Sequence, residues 1–221
     1  MTDVRAVQQF YGRWARYYDL IASVPLVDSW RRRAVDALAL QAGDVAVEMG
    51  CGTGANLPLL RERVGPTGRV IGVDLTPGML SEARRRVDRA GWSNVHLCLG
   101  DATCPPITPG VDAVLGTFVV GLFGDPASVI DEWLDLVDPG GRLAVLEAGS
   151  TDRWVLKPLN LAFRAFTRLS APSNRGAVQS PAVTLDGRIR SAADRIDART
   201  TGTIQNTLGL GFVHLWAGRR V

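Results

Sequence analysis

The stretch Val47–Asn56, VEMGCGTGAN, decides how the chain is read. Three glycines, Gly50, Gly52 and Gly54, follow an apolar run. Glycine at this spacing allows a sharp backbone turn and lets a ligand approach the main chain closely. Turns of this kind between a strand and a helix commonly cradle phosphate. Here, however, an acid, Glu48, stands two residues before the first glycine. A carboxylate beside a pyrophosphate in a partly dry cleft is repelled. A ligand that carries positive charge and no phosphate suits the turn better.

Working outward, helix and strand signals alternate. DVAVEMG reads as the first strand, and NLPLLRERVG as a helix with Pro58 in its first turn. RVIGVD is the second strand, and TPGMLSEARRRVDRAG a helix with Pro77 early and Gly91 closing it. NVHLCLGD and VDAVLGTFVV are the third and fourth strands. DPASVIDEWLDLV is a helix, and DPGGRLAVLEA a turn followed by the fifth strand. Upstream, residues 3–22 carry Val7, Phe10, Trp14, Tyr17, Tyr18 and Ile21 at helical steps, and SWRRRAVDALAL reads as a second helix with Ser29 as its N-cap. Downstream, 157–169 and 187–199 read as helices, and TIQNTLGL and FVHLWAGR as an antiparallel hairpin at the sheet edge.

This alternation predicts an α/β fold: a Rossmann-like, doubly wound, mostly parallel seven-stranded sheet, with an antiparallel C-terminal edge hairpin and an N-terminal helical lid. The chain of 221 residues is expected to form one domain: a lid over 1–42, a ligand-binding core over 43–149, and substrate-side helices and edge strands over 150–221.

Composition excludes other classes. Hydrophobic content of 46% with 21% charged residues fits a globular protein. A net charge of +3 is too small to argue for nucleic acid. Cys51, Cys98 and Cys104 are an odd, sparse set without a CxxC pair, so neither a disulfide framework nor a zinc site is expected. The polar start MTDVRAVQQF shows no signal peptide, and the longest apolar run, VDAVLGTFVVGLF, is too short to span a bilayer. The expected location is the cytoplasm.

Ligands of such sheets sit at the carboxyl ends of the strands. Those ends carry Glu48 with the glycines, Asp74, Asp101 and Thr117. GCGTGA also matches a dinucleotide fingerprint, with Asp74 near the distance of a ribose-gripping acid. Against an NAD oxidoreductase stand Glu48 and the lack of hydride-transfer machinery. A non-catalytic SAM- or nucleotide-binding regulatory module is the other alternative.

Taken together, these residues resemble the motifs of the class I S-adenosylmethionine (SAM)-dependent methyltransferases. VEMGCGTGAN resembles their first motif, VIGVDLTPGML the second, LGDA the third, and LVDPGGRLAV the turn before the fifth strand. The opening FYGRWARYYDLIASVP is similar to the ubiquinone/menaquinone-biosynthesis methyltransferases and to bacterial phosphatidylethanolamine N-methyltransferases. The resemblance implies SAM as cofactor. It implies that Glu48, Gly50, Gly52 and Asn56 contact it, that Asp74 binds the ribose hydroxyls, and that Leu75 or Met79 lies beside the adenine. It places Asp101 and Ala102 at the adenine amino group, Thr117 and Phe118 at the fourth strand end, and Tyr11 and Tyr18 on a covering helix. The Arg-Asn pair typical of quinone enzymes after the fourth strand is replaced by Thr117-Phe118-Val119-Val120-Gly121.

The expected acceptor is a small apolar or lipid-like molecule, quinone-type or a phospholipid amine. The helix around 154–169, apolar on one side and basic on the other, is expected to receive it and to touch a membrane surface transiently. Methyl transfer from a sulfonium needs chiefly alignment and a dry site. Asp19, Asp125 and Glu147 are possible bases, but nothing in the sequence singles one out. The catalytic residues and the oligomeric state are left open.

Overall fold

The computed structural model describes residues 25–150 and 181–221. In chain order the elements are α1 (Pro25–Ala37), β1 (Val45–Met49), α2 (Leu57–Val64), β2 (Arg69–Asp74), α3 (Pro77–Ala90) and β3 (Val95–Leu99). They continue with β4 (Val111–Thr117), α4 (Pro126–Leu136), β5 (Val137–Ala148), α5 (Pro181–Arg199), β6 (Thr200–Leu208) and β7 (Val213–Arg220). A 3-10 turn, Val120–Leu122, follows β4.

The seven strands form one sheet in the order β3-β2-β1-β4-β5-β7-β6. Strands β1 to β5 pair in parallel, while β7 runs antiparallel to both β5 and β6. The chain winds outward from β1 to β3, then crosses back to place β4 on the other side of β1. The crevice between the carboxyl ends of β1 and β4 is therefore the switch point where such sheets take ligands.

The central strands are apolar on both faces because both faces are covered. Ala46, Ala113, Leu115, Ala144 and Leu146 pack under α1, α2 and α3. Val47, Met49, Val114, Val145 and Trp216 pack under α4 and α5. Asp131 and Asp135 of α4 tie α5 in place through Arg195 and Arg199, at 2.5–2.9 Å.

Proline and glycine mark the element ends as the sequence suggests. Pro58 and Pro77 stand in the first turns of α2 and α3, where a missing N–H costs nothing. Gly91 closes α3 in the left-handed region, φ 65°.

Three expectations are corrected. Helix α1 begins at Pro25, not at Ser29; proline starts a helix readily, and the Ser29 hydroxyl lies inside it, donating to the Leu26 carbonyl at 2.7 Å. β4 ends at Thr117 rather than Val120, because Phe118 turns the chain at φ 56°. The DPGG segment is an irregularity within β5: pairing with β4 jumps from Val111–Val137 to Ala113–Arg142. The hairpin and a helix ending at Arg199 lie as expected, although α5 starts at Pro181 rather than at 187. The expected lid helix over 3–22 and the basic helix over 157–169 lie outside the described residues. Among the described residues, no helix is long and apolar enough to cross a membrane.

Trp133 of α4 locks the switch-point side of the sheet. It is fully buried, its indole N–H donates to the Ala102 carbonyl at 2.7 Å, and Phe123 packs edge-on against it. Gly116 of β4 makes room for it: a Cβ there would lie 2.6 Å from the ring. Replacing Trp133 by Ala should therefore destabilise the fold by about 3–5 kcal/mol. Gly116→Val, which drives a side chain into the ring, should cost about 1–3 kcal/mol. Urea denaturation monitored by circular dichroism measures both.

Candidate active site

The glycine turn is built from three left-handed residues, Gly50 at φ 68°, Gly52 at 55° and Gly54 at 78°. Two of them are also pressed by neighbours. A Cβ at Gly50 would sit 2.6 Å from the Val119 side chain, and one at Gly54 2.6 Å from Leu57. Among the described residues, a Cβ at Gly52 would meet nothing within 4 Å. The middle glycine thus faces open space, as a backbone approached by a ligand does.

Asp74, at the end of β2, ties this turn to the next. Its Oδ2 accepts from the Gly52 N–H and its Oδ1 from the Thr76 N–H, both at 2.8 Å. Burial raises its pKa, and these two backbone bonds oppose the rise. Each carboxylate oxygen accepts more than one hydrogen bond, so both retain capacity for a ligand hydroxyl.

Glu48 lies at the end of β1 with 1% of its surface exposed. Asn56 is the residue before α2, a position where its side chain would ordinarily cap the helix. It turns away instead. Its amide Nδ2 donates to Glu48 Oε1 at 2.6 Å and to Thr117 Oγ1 at 2.9 Å, joining β1, α2 and β4 across the switch point. Burial pushes the Glu48 pKa up to about 8, opposed by the Asn56 bond and by the Arg31 charge and raised further by Asp74. Two buried acceptors, Glu48 Oε2 and Asn56 Oδ1, have no hydrogen-bond partner among the described residues. Buried acceptors need donors. A proton on Glu48 supplies one; a ligand ammonium would supply more.

The structure gathers the other expected residues around the same strand ends. Leu75 is half-buried beyond β2, and Met79 is buried in the first turn of α3. Asp101 is exposed beyond β3 and accepts from the Thr103 N–H and hydroxyl, both at 2.8 Å. Ala102 beside it is buried. Thr117 is buried, and Phe118 holds its left-handed φ of 56°, a strained value for a bulky residue. Tyr11 and Tyr18 lie outside the described residues, as does Asp19. Asp125 caps α4: its Oδ1 accepts from the Ser128 N–H at 3.3 Å, and the Ser128 hydroxyl donates to its Oδ2 at 2.6 Å.

One buried residue of the site is missed from sequence, and a second enters only as an unsupported base. Arg31 is buried and acts on Glu48. In the run Trp30-Arg31-Arg32-Arg33 it looks like surface, yet it stands three, four and seven residues before the buried Ala34, Val35 and Leu38. That helical spacing was the available signal. Glu147, at the end of β5, is buried, and its carboxylate accepts the Val120 N–H at 2.5 Å. No local pattern separates it from any polar residue ending a strand.

The raised pKa of Glu48 has a stability consequence. An acid whose pKa is higher folded than unfolded binds more protons when folded between the two values, so stability falls as pH rises through that window. For Glu48 the window runs from its ordinary 4.5 to about 8. The ligand-free protein should lose stability across it. Glu48→Gln, which keeps an oxygen for Asn56 and cannot ionise, should remove much of the loss, on the order of several kcal/mol at the alkaline end. Urea midpoints measured across the window, wild type against Glu48→Gln, provide the check.

Comparison with known proteins agrees with this geometry. Residues 46–141 match the family described as "Methyltransferase domain". The chain is 35% identical over 152 residues to the 2-phytyl-1,4-naphtoquinone methyltransferase of Thermosynechococcus vestitus, covering 66% of this chain and 65% of that one. It is 33% identical over 141 residues to the aklanonic acid methyltransferase of Streptomyces sp. strain C5, covering 63% and 64%. The match thus spans less than two thirds of the length of these relatives. Among solved structures, a SAM-dependent methyltransferase from Thermotoga maritima superposes with a TM-score of 0.66 at 17% identity, covering 97% of this chain and 99% of that one. Residues 46–141 therefore match a methyltransferase domain, the chain has the fold of SAM-dependent methyltransferases, and it resembles those of ubiquinone/menaquinone biosynthesis.

Proposed function

We propose that the chain transfers the methyl group of SAM to a small, apolar, ring-bearing acceptor of the quinone kind. The observation that carries the cofactor half is the pairing of open space at Gly52 with two partnerless buried acceptors, Glu48 Oε2 and Asn56 Oδ1. A phosphate would meet a buried carboxylate there; an ammonium would meet what it needs. The acceptor half is supported by the named relatives, which act on a naphthoquinone and on aklanonic acid. The apolar residues after β4, with Phe118 and Phe123 half-buried and Leu122 about half exposed, also support it.

When bound, SAM supplies a methyl carbon already activated by its sulfonium. In this reading Glu48 and Asn56 hold the amino-acid end, and Gly50 and Gly52 give the backbone room to approach. Asp74 accepts the ribose hydroxyls. Leu75 and Met79 flank the adenine, with Asp101 and Ala102 at its amino edge. Thr117 and Phe118 form the wall at the transferring end. The protein's contribution is alignment and exclusion of water.

Asp74→Ala should weaken SAM binding roughly ten- to a hundred-fold, the loss of a charge-assisted acceptor worth about 1.5–3 kcal/mol. Calorimetry with SAM reads it, and a preserved circular dichroism spectrum shows that the fold survives. Methyl transfer from labelled SAM to a naphthoquinol, set against a hydrophilic amine, tests the acceptor. Exclusive labelling of the amine would overturn the acceptor class while leaving the cofactor assignment intact.

A further inference from the structure

We propose that Glu147 is a positioning residue for methyl transfer: its carboxylate clamps successive amides of the turn after β4 and so fixes Thr117 and Phe118 at the transferring end of the site. The inference rests on the reading of those two residues given above.

Glu147 is a buried acid with a built set of donors. The Val120 N–H donates to its Oε1 at 2.5 Å, and the backbone N–H groups of Val119 and Gly121 also stabilise its charged form. A carboxylate in a dry site persists as an anion only with such donors. The same turn is also held by α5. Gly121 has no side chain, which lets Leu185 in: a Cβ there would lie 2.3 Å from it. Arg188 donates to the Gly121 carbonyl at 3.3 Å.

The clamp reaches the site by direct contact. Thr117 is paired with Leu146, the residue before Glu147, and the Phe118 N–H donates to the Leu146 carbonyl at 2.7 Å. Val119 presses on Gly50 of the glycine turn, where a Cβ would come within 2.6 Å of it. Between them, Phe118 holds its strained φ of 56°. Such a conformation survives only where its surroundings over-determine it. Glu147 on one side and Gly50 on the other provide that constraint.

The clamp responds to pH. Burial raises the Glu147 pKa to about 7, against the opposing effect of the backbone donors. The ionised form offers acceptors only; the protonated form has to place a donor among N–H groups. The turn is therefore held more firmly above about pH 7 than below it. Among the described charged or titratable groups of the packed elements, His214 of β7 pairs in register with Glu147, Arg188 of α5 donates to the Gly121 carbonyl, and Asp186 of α5 accepts from the Ser150 N–H.

The test uses the whole chain and needs no acceptor. Amide exchange by NMR reads the protection factors of Val119, Val120 and Gly121, and [methyl-13C]SAM reports the transferring end. In wild type, protection should rise about tenfold or more between about pH 6 and about pH 8, and the bound methyl resonance should titrate with the same midpoint. Glu147→Gln should abolish both titrations while SAM affinity, by calorimetry, changes less than about threefold. His214→Asn should leave both in place, which separates the carboxylate from the imidazole. Protection independent of pH in wild type, or titrations that persist in Glu147→Gln, would overturn the proposal. Failure of wild type to bind SAM would instead remove the cofactor reading, and the exchange data would still decide whether Glu147 clamps the turn.

Discussion

A carboxylate without solvent at the end of an interior strand is the constraint around which the site is arranged. Glu48 cannot be moved outward: its strand is interior to the sheet, paired with β2 on one side and β4 on the other. Its environment adapts to it instead. Asn56 gives up capping α2 to bond it, Thr117 shares the same amide, and Arg31 is drawn below the surface of α1. Each adaptation has a cost: an uncapped helix, a buried guanidinium, an acid with its pKa near 8. A fold selected for stability alone would place an apolar residue there. The polar cluster at the switch point is explained by a ligand that brings the missing donors.

Much of this was legible in the sequence because its signals are local. Strands covered on both faces read as short apolar runs, and Pro58, Pro77 and Gly91 punctuate helices by steric rules that hold regardless of context. The glycines of the turn and the acids at the ends of β1, β2 and β3 sit at fixed distances along the chain, so their convergence followed from the strand alternation. The parts that were not legible depend on contacts far apart in sequence. Arg31 is buried where its charge acts on Glu48, and Phe118 turns the chain where β4 was expected to continue, beside Val119 against Gly50 and Val120 bonded to Glu147. The DPGG segment is charged and glycine-rich like any loop, yet its ends pair with β4 and so it becomes a bulge in β5. Pro25 could open or break a helix with equal ease; packing of Ala34, Val35 and Leu38 onto the sheet decides that it opens one.

The two buried acids, at the ends of β1 and β5 on either side of β4, serve opposite faces of the sheet. Glu48 faces α1 and α2, among the groups that would meet the cofactor's amino-acid end. Glu147 faces α4 and α5, where its partners are main-chain amides. Both are raised by burial into the neutral range, but for different ends. Glu48 keeps an acceptor free for a ligand, while Glu147 directs its acceptors to the turn. A raised pKa alone would not distinguish these roles; the hydrogen-bond partners do.

Transfer from a sulfonium demands little acid–base chemistry and strict alignment, and an in-line displacement loses rate steeply with small errors of position. The arrangement matches that demand. Side chains that would touch the cofactor stand at strand ends and helix starts, and the turn after β4 is held by the contact of Val119 with the glycine turn and by the Val120 amide bonded to Glu147. Strain at Phe118 then follows from the geometry. A residue held among packed elements keeps its position more narrowly than one in a relaxed loop, and the energy of its φ is offset by contacts such as those Phe118 makes with the core under α1, α2 and α3.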